Sequence, residues 1–178
     1  MDIKETKLEG VYIINNNIIQ DDRGYFLKYF NEKIFIELGI EFKIKESYYT
    51  SSKKNVVRGM HFQLPPFEHD KLVNVINGRI TDVILDLRVN SKTYKKFISV
   101  ELGGKSRKSI FIPKGCAHGF KALENNSIVM YNVSSIYNEK YDTGIRWDSF
   151  GMNWGEVNYI ISERDKNFKT LEEFSSVF

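Results

Sequence analysis

The sequence predicts an all-β protein, a sandwich or barrel formed by one domain over residues 1–178. Three observations carry that reading. Short alternating segments recur at intervals of about 8–12 residues with turn residues between them, the spacing of sandwiches and barrels. The dipeptide Asn77-Gly78 joins two apolar runs, and both of its residues tolerate positive φ, as a tight hairpin turn requires. Aromatic residues make up 14% of the chain, led by 13 Phe and 10 Tyr, with only 3 Pro, a balance that favours strands.

The elements follow in order. "GVYIINNNIIQDDRGYFLKYF" reads as a strand, a polar Asn-rich turn and a second strand over "GYFLKYF". "NEKIFIELGI" is the one helix of the first half. Ile34, Phe35, Leu38 and Ile40 give a partial stripe, and Gly39 is its expected stop. In "KLVNVINGRITDVILDLR" the Asn77-Gly78 turn predicts a hairpin, after which Val83, Leu85 and Leu87 share one face and Asp82 and Asp86 the other. "FISVELGGKSRKSIFIP" repeats the plan around Gly103-Gly104, and "ALENNSIVMYNVSSIY" around Glu124-Asn125-Asn126. The tail offers a strand-like "NYIIS" and an acidic, helical end, "TLEEFSSVF".

Length and composition bound the function. A chain of 178 residues holds one sizeable core. Its net charge of +3 is too small and too evenly spread to argue for nucleic acid. No run of about 18 apolar residues exists, so no membrane span is expected. The start, "MDIKETKLEG", lacks a signal-peptide layout. A single cysteine, Cys116, excludes an internal disulfide and fits a reducing cytoplasm.

Two of the three histidines lie in "VVRGMHFQLPPFEHDKLV". In an extended strand Met60 and Phe62 point to one face, while Gly59, His61 and Gln63 share the other. Lys71 opens the next strand, and His69 reads as a loop residue. His118 sits in the glycine-flanked "PKGCAHGF", where close backbone approach is possible. Tyr131 and Tyr137 fall on one strand face, about 20 Å apart if the strand stays straight. His61, His69, His118, Glu68 and Glu124 are the candidate metal ligands, but their spacing asks for no metal. No G-x-S-x-G turn points to a hydrolase.

Taken together, "DDRGYF", "VVRGMHFQLPP", "HDKLVNVINGRITDVILDLR", "SKTYKKF", "IPKGCAHGF", "GIRW" and "ISERDK" resemble the dTDP-4-dehydrorhamnose 3,5-epimerase family. The resemblance runs in order from Asp21 to Lys166. It implies a cupin-type jelly roll with short peripheral helices, a homodimer, no metal and no cofactor. It also implies an enzyme that inverts C3 and C5 of a nucleotide-linked 4-keto-6-deoxy sugar, supplying surface polysaccharide. By match, His61 is the base, Asp165 orients its imidazole, Tyr131 is the acid on the opposite face, and Lys71 lies near the C4 oxygen. Arg23, Arg58 and His118 match diphosphate or sugar contacts, and Tyr137 the residue stacked on the base. In a flat strand Arg58 points away from His61, a conflict that a bulge at Gly59 resolves.

The chain departs from the family pattern at several positions. Lys28 replaces a Glu, Glu46 and Tyr48 replace a Gln and an Asn, Asp142 stands for a Glu, and Arg164 for a Lys. Lys28, Glu46 and Tyr48 fall at positions tied to reading the nucleotide, and an ionised Glu46 only accepts hydrogen bonds. Guanine offers N1–H and N2–H₂ together, so a GDP-linked sugar, a 4-keto-heptose among them, is the expected substrate. The alternatives are a dTDP-linked sugar, epimerisation at C3 alone, and a non-catalytic cupin that binds a sugar nucleotide.

Overall fold

A computed structural model describes residues 1–104 and 106–178. Two antiparallel sheets face each other, and their strands come alternately from distant parts of the chain. One sheet has six strands: β1 (Asp2–Glu5), β2 (Tyr12–Asn15), β10 (Lys108–Ile112), β7 (Lys71–Asn77), β12 (Ser127–Val133) and β5 (Glu46–Ser52), in that spatial order. The other has five: β13 (Asp142–Gly144), β6 (Val57–Gln63), β11 (Cys116–Ala122), β8 (Arg79–Asp86) and β9 (Phe97–Gly103). A separate ribbon pairs β3 (Ile18–Asp21) with β4 (Gly24–Leu27). Two short helices, α1 (Glu32–Glu37) and α2 (Glu163–Lys166), lie outside the sheets. The architecture is the all-β, cupin-type jelly roll. Among the described residues no helix is long and apolar enough to cross a membrane.

Three turns read as hairpins from the sequence are something else. After Asn77-Gly78 the chain leaves the six-stranded sheet and enters the five-stranded one, so β7 pairs with β10 and β12, and β8 with β9 and β11. The Gly103-Gly104 and Glu124–Asn126 turns likewise pass the chain from one sheet to the other. Gly78 does hold the positive φ of +74° that the dipeptide suggested. The local turn chemistry is right, and the tertiary pairing overrides its usual consequence.

That crossing decides where side chains go. Val73, Val75, Ile110, Ile112 and Val129 meet Ile80, Ile84, Phe120 and Ala122 between the sheets. Val83, Leu85 and Leu87 point outward from the five-stranded sheet, under Trp154, Phe174 and Phe178. Phe35 of α1, with Ile40 and Phe42, covers Ile14, Leu72 and Phe111 on the other outer face. Asn31 caps α1 by accepting the Ile34 N–H at 3.1 Å, and Gly39 ends it with a φ of +79°.

Three further expectations need correction. The second strand of the N-terminal region stops at Leu27, because it belongs to the β3–β4 ribbon. The end "TLEEFSSVF" is not helical; Leu171, Phe174 and Phe178 instead lie against the outer core in irregular chain. Tyr131 and Tyr137 do not share a straight strand, since β12 ends at Val133.

Candidate active site

Both sheets contribute to one opening at the barrel end. His61 stands on β6, and its Nε2 lies 2.8 Å from Asp165 Oδ1. Asp165 is buried on α2, and its Oδ2 accepts the Gly59 N–H at 3.0 Å. Ser162 caps α2 by accepting the Asp165 N–H at 3.1 Å. Burial alone would raise the Asp165 carboxyl, but the bonds from His61, Gly59 and Ser162 outweigh it and hold the group below the usual carboxylate range. An ionised Asp165 fixes the proton on His61 Nε2 and leaves Nδ1 with a lone pair.

Lys71 opens β7 in the opposite sheet. Its buried Nζ donates to the His61 carbonyl at 3.1 Å. Burial lowers the ammonium to about 8, although Asp142 and Asp82 pull the other way. Tyr131 of β12 is only 7% exposed. Burial drives its phenol well above the ordinary tyrosine value, so it stays protonated. His118 sits directly across the ladder from His61 and is fully enclosed, with its Nε2 2.7 Å from Asp82 Oδ1.

The expected bulge is present. Between the His118↔His61 and Phe120↔Arg58 pairs, β6 carries one residue more than β11. Gly59 has a φ of +136° there. The extra residue swings Arg58 to the face of His61, and the two line one inner pocket with His118, Tyr131, Lys71 and Thr50. Arg58 is anchored by Nε donating to Ser52 Oγ at 3.1 Å.

A cleft of about 320 Å³ adjoins that inner pocket of about 130 Å³, and the two share Tyr48, His61 and Lys71. Glu46, Tyr137 and Asp142 line the outer cleft. Glu46 Oε2 accepts the Tyr137 N–H at 2.7 Å, so half of its carboxylate is engaged with backbone. Arg164 pairs with Asp142 at 2.5 Å and lies over the Phe168 ring, whose edge meets His61.

Two of the expected residues stand apart. Arg23 occupies the β3–β4 turn, 91% exposed and paired with Asp21 at 2.6 Å, and Lys28 follows β4 at the surface. Neither lines the cleft. Conversely, the sequence reading passed over Asp82, Thr50 and Gln63, and left His69 as a loop residue. Gln63 Nε2 donates to His69 Nδ1 at 3.1 Å, both line the cleft, and burial holds His69 neutral with a value of about 3. Of the candidate metal ligands, Glu124 is tied to Arg79 instead. Among the described residues no three His, Cys, Asp or Glu side chains converge.

Comparison with known proteins places the chain among relatives of one family. The family model described as dTDP-4-dehydrorhamnose 3,5-epimerase matches residues 5–173. An enzyme of that name from Methanothermobacter thermautotrophicus is 44% identical, with 95% of this chain and 94% of that protein covered. The Escherichia coli enzyme is 34% identical, covering 97% and 96%. A Legionella pneumophila structure, a dTDP-6-deoxy-D-glucose-3,5-epimerase in complex with dTDP-4-keto-L-rhamnose, superposes with a TM-score of 0.93 at 30% identity, covering 98% and 94%. A Bacillus anthracis structure with TDP and PPi bound gives 0.92 at 32%, covering 96% and 99%. The chain belongs to the dTDP-4-dehydrorhamnose 3,5-epimerase family.

Proposed function

We propose that the protein inverts C3 and C5 of a dTDP-linked 4-keto-6-deoxyhexose. The observation that carries this is the His61–Asp165 pair at 2.8 Å, opening on a cleft that also holds a buried ammonium, Lys71. Hydrogens on C3 and C5 are acidic because both carbons flank the C4 ketone. Nδ1 of His61 takes one of them, and the electron pair moves onto the C4 oxygen. The Lys71 ammonium stabilises that charge in a water-poor site. The Tyr131 O–H bond then breaks, a C–H bond forms on the opposite face, and the ketone returns. The imidazolium and the phenolate reset by proton exchange with solvent. A positioned base of this kind contributes about 10²- to 10⁴-fold.

The guanine reading rested on Glu46. Its commitment to the Tyr137 N–H weakens that argument, and the relatives are named for dTDP substrates. Calorimetry with dTDP and GDP tests the choice. Tighter dTDP binding is expected, and tighter GDP binding restores the guanine carrier. Proton NMR of the product made in D₂O should show two deuteriums, whereas one marks epimerisation at C3 alone.

The protein acts as a homodimer in this reading. The β3–β4 ribbon supports it, because Ile19, Tyr25 and Phe26 are 67%, 60% and 58% exposed there, an apolar surface that a second copy would cover. Arg23 and Lys28 travel with that ribbon, so they meet substrate only by reaching a partner's cleft.

A further inference from the structure

Tyr131, the acid in the reading above, needs its hydroxyl held in one place opposite His61. A second tyrosine lies against its ring. Tyr48 of β5 is the direct ladder partner of Tyr131 on β12. Their rings stack with centroids 4.8 Å apart and planes 19° from parallel. Tyr131 also meets His118 in a T-shaped contact at 6.0 Å, and on the β7 side its ladder partner is Val73. Tyr48 therefore supplies the flat wall of the slot in which the Tyr131 ring sits. It also lines both the outer cleft and the inner pocket, so any ligand filling the two passes beside it.

We propose that Tyr48 is a positioning residue for the acid Tyr131, fixing the plane of its ring so that the phenol meets the substrate carbon from the face opposite His61. This rests on the epimerase reading, and it replaces the expectation that Tyr48 reads the nucleotide. Stacked aromatic pairs prefer centroid separations of about 4.5–7 Å, and the observed pair is near the short limit. A misplacement of about 1 Å at a reacting group costs about 10²-fold, so loss of the wall acts on the acid step. The ring is what matters for orientation. Tyr48 is still 41% exposed; its partial burial, with Glu46 and Asp142 nearby, raises the phenol above the ordinary tyrosine value, so it stays neutral and adds no charge beside Tyr131.

The chemistry separates this role from substrate binding. Proton removal by His61 and return to the same face exchanges hydrogen for solvent deuterium without inversion. Only the Tyr131 step inverts the carbon. In D₂O, Tyr48→Leu is expected to keep deuterium washout from the substrate within about threefold of wild type while net inversion falls about 10- to 100-fold. Tyr48→Phe retains the stack and is expected to invert at close to the wild-type rate with an unchanged KM, whereas Tyr48→Leu, which also trims the cleft wall, is expected to change KM by less than it changes inversion. Equal loss of washout and inversion in Tyr48→Leu, a rise in KM as large as the loss of inversion, or no change at all overturns the proposal. Failure of Tyr48→Phe to rescue overturns it as well. Wild-type protein that shows no washout refutes the epimerase reading itself, whereas normal wild-type behaviour with an indifferent Tyr48→Leu refutes only the role of Tyr48.

Discussion

At the residue scale the site is a problem in placing charge where water is scarce. Lys71 reaches its position only by being stripped of solvent, which brings its titration down to about 8. Below that pH it is an ammonium, which in the proposed reaction stabilises the developing enolate; above it the charge is gone. The expected kcat/KM therefore declines as pH rises through about 8, and in Lys71→Met that decline is absent on a baseline lower by about 10²- to 10³-fold. A rate that stays flat to pH 10 argues against the role. Asp165 acts on the other partner. With Asp165→Asn the proton preference of His61 is lost, and steady-state rates should fall about 10²- to 10⁴-fold with little change in KM. The pair itself spans 104 residues, so no spacing rule could assemble it, and only the resemblance joined "RGMH" to "ERDK". Asp82 was passed over for a different reason. Alternation put it opposite Val83 and Leu85, on what a single sheet would present to water; in two facing sheets that side is the interior, where it grips His118.

At the element scale, β6 shows how one residue re-aims a strand. Strict alternation separates Arg58 from His61, and the extra residue at Gly59 reunites them. A Cβ at Gly59 would come within 2.5 Å of Gly119 Cα, with φ already at +136°. Gly59→Ala is thus expected to lose about 2–4 kcal/mol in chemical denaturation and to fall further in activity than in stability. A variant as stable as wild type would show that β6 tolerates a side chain there. The bulge was legible because two chemical demands on one strand conflicted. The sheet-crossing turn at Asn77-Gly78 was not. Its residues specify a tight reversal, and nothing local tells the chain whether the next strand pairs with the last or faces it across the core.

At the scale of the whole molecule, the crossing turns explain how a small chain encloses a site. Each crossing places sequence neighbours on opposite walls, so His61 and Lys71, 10 residues apart, come from different sheets. Strand content and the two-layer class were legible from periodicity, while the jelly-roll order came from resemblance, because long-range pairing leaves no local mark. The exposed apolar ribbon of β3 and β4 belongs to the same scale. Light scattering is expected to give twice the 20.8 kDa chain mass, and Phe26→Glu should shift the protein toward the single-chain mass. A wild-type monomer at micromolar concentration contradicts the dimer.

The central claim is proton abstraction by His61 next to a ketone. Its most direct test is mass spectrometry of a dTDP-linked 4-keto-6-deoxyhexose incubated with the protein in D₂O. The wild type should add two mass units to the sugar and His61→Asn none. A wild-type sugar that gains no deuterium, or a His61→Asn protein that labels it as fast as wild type, contradicts the account.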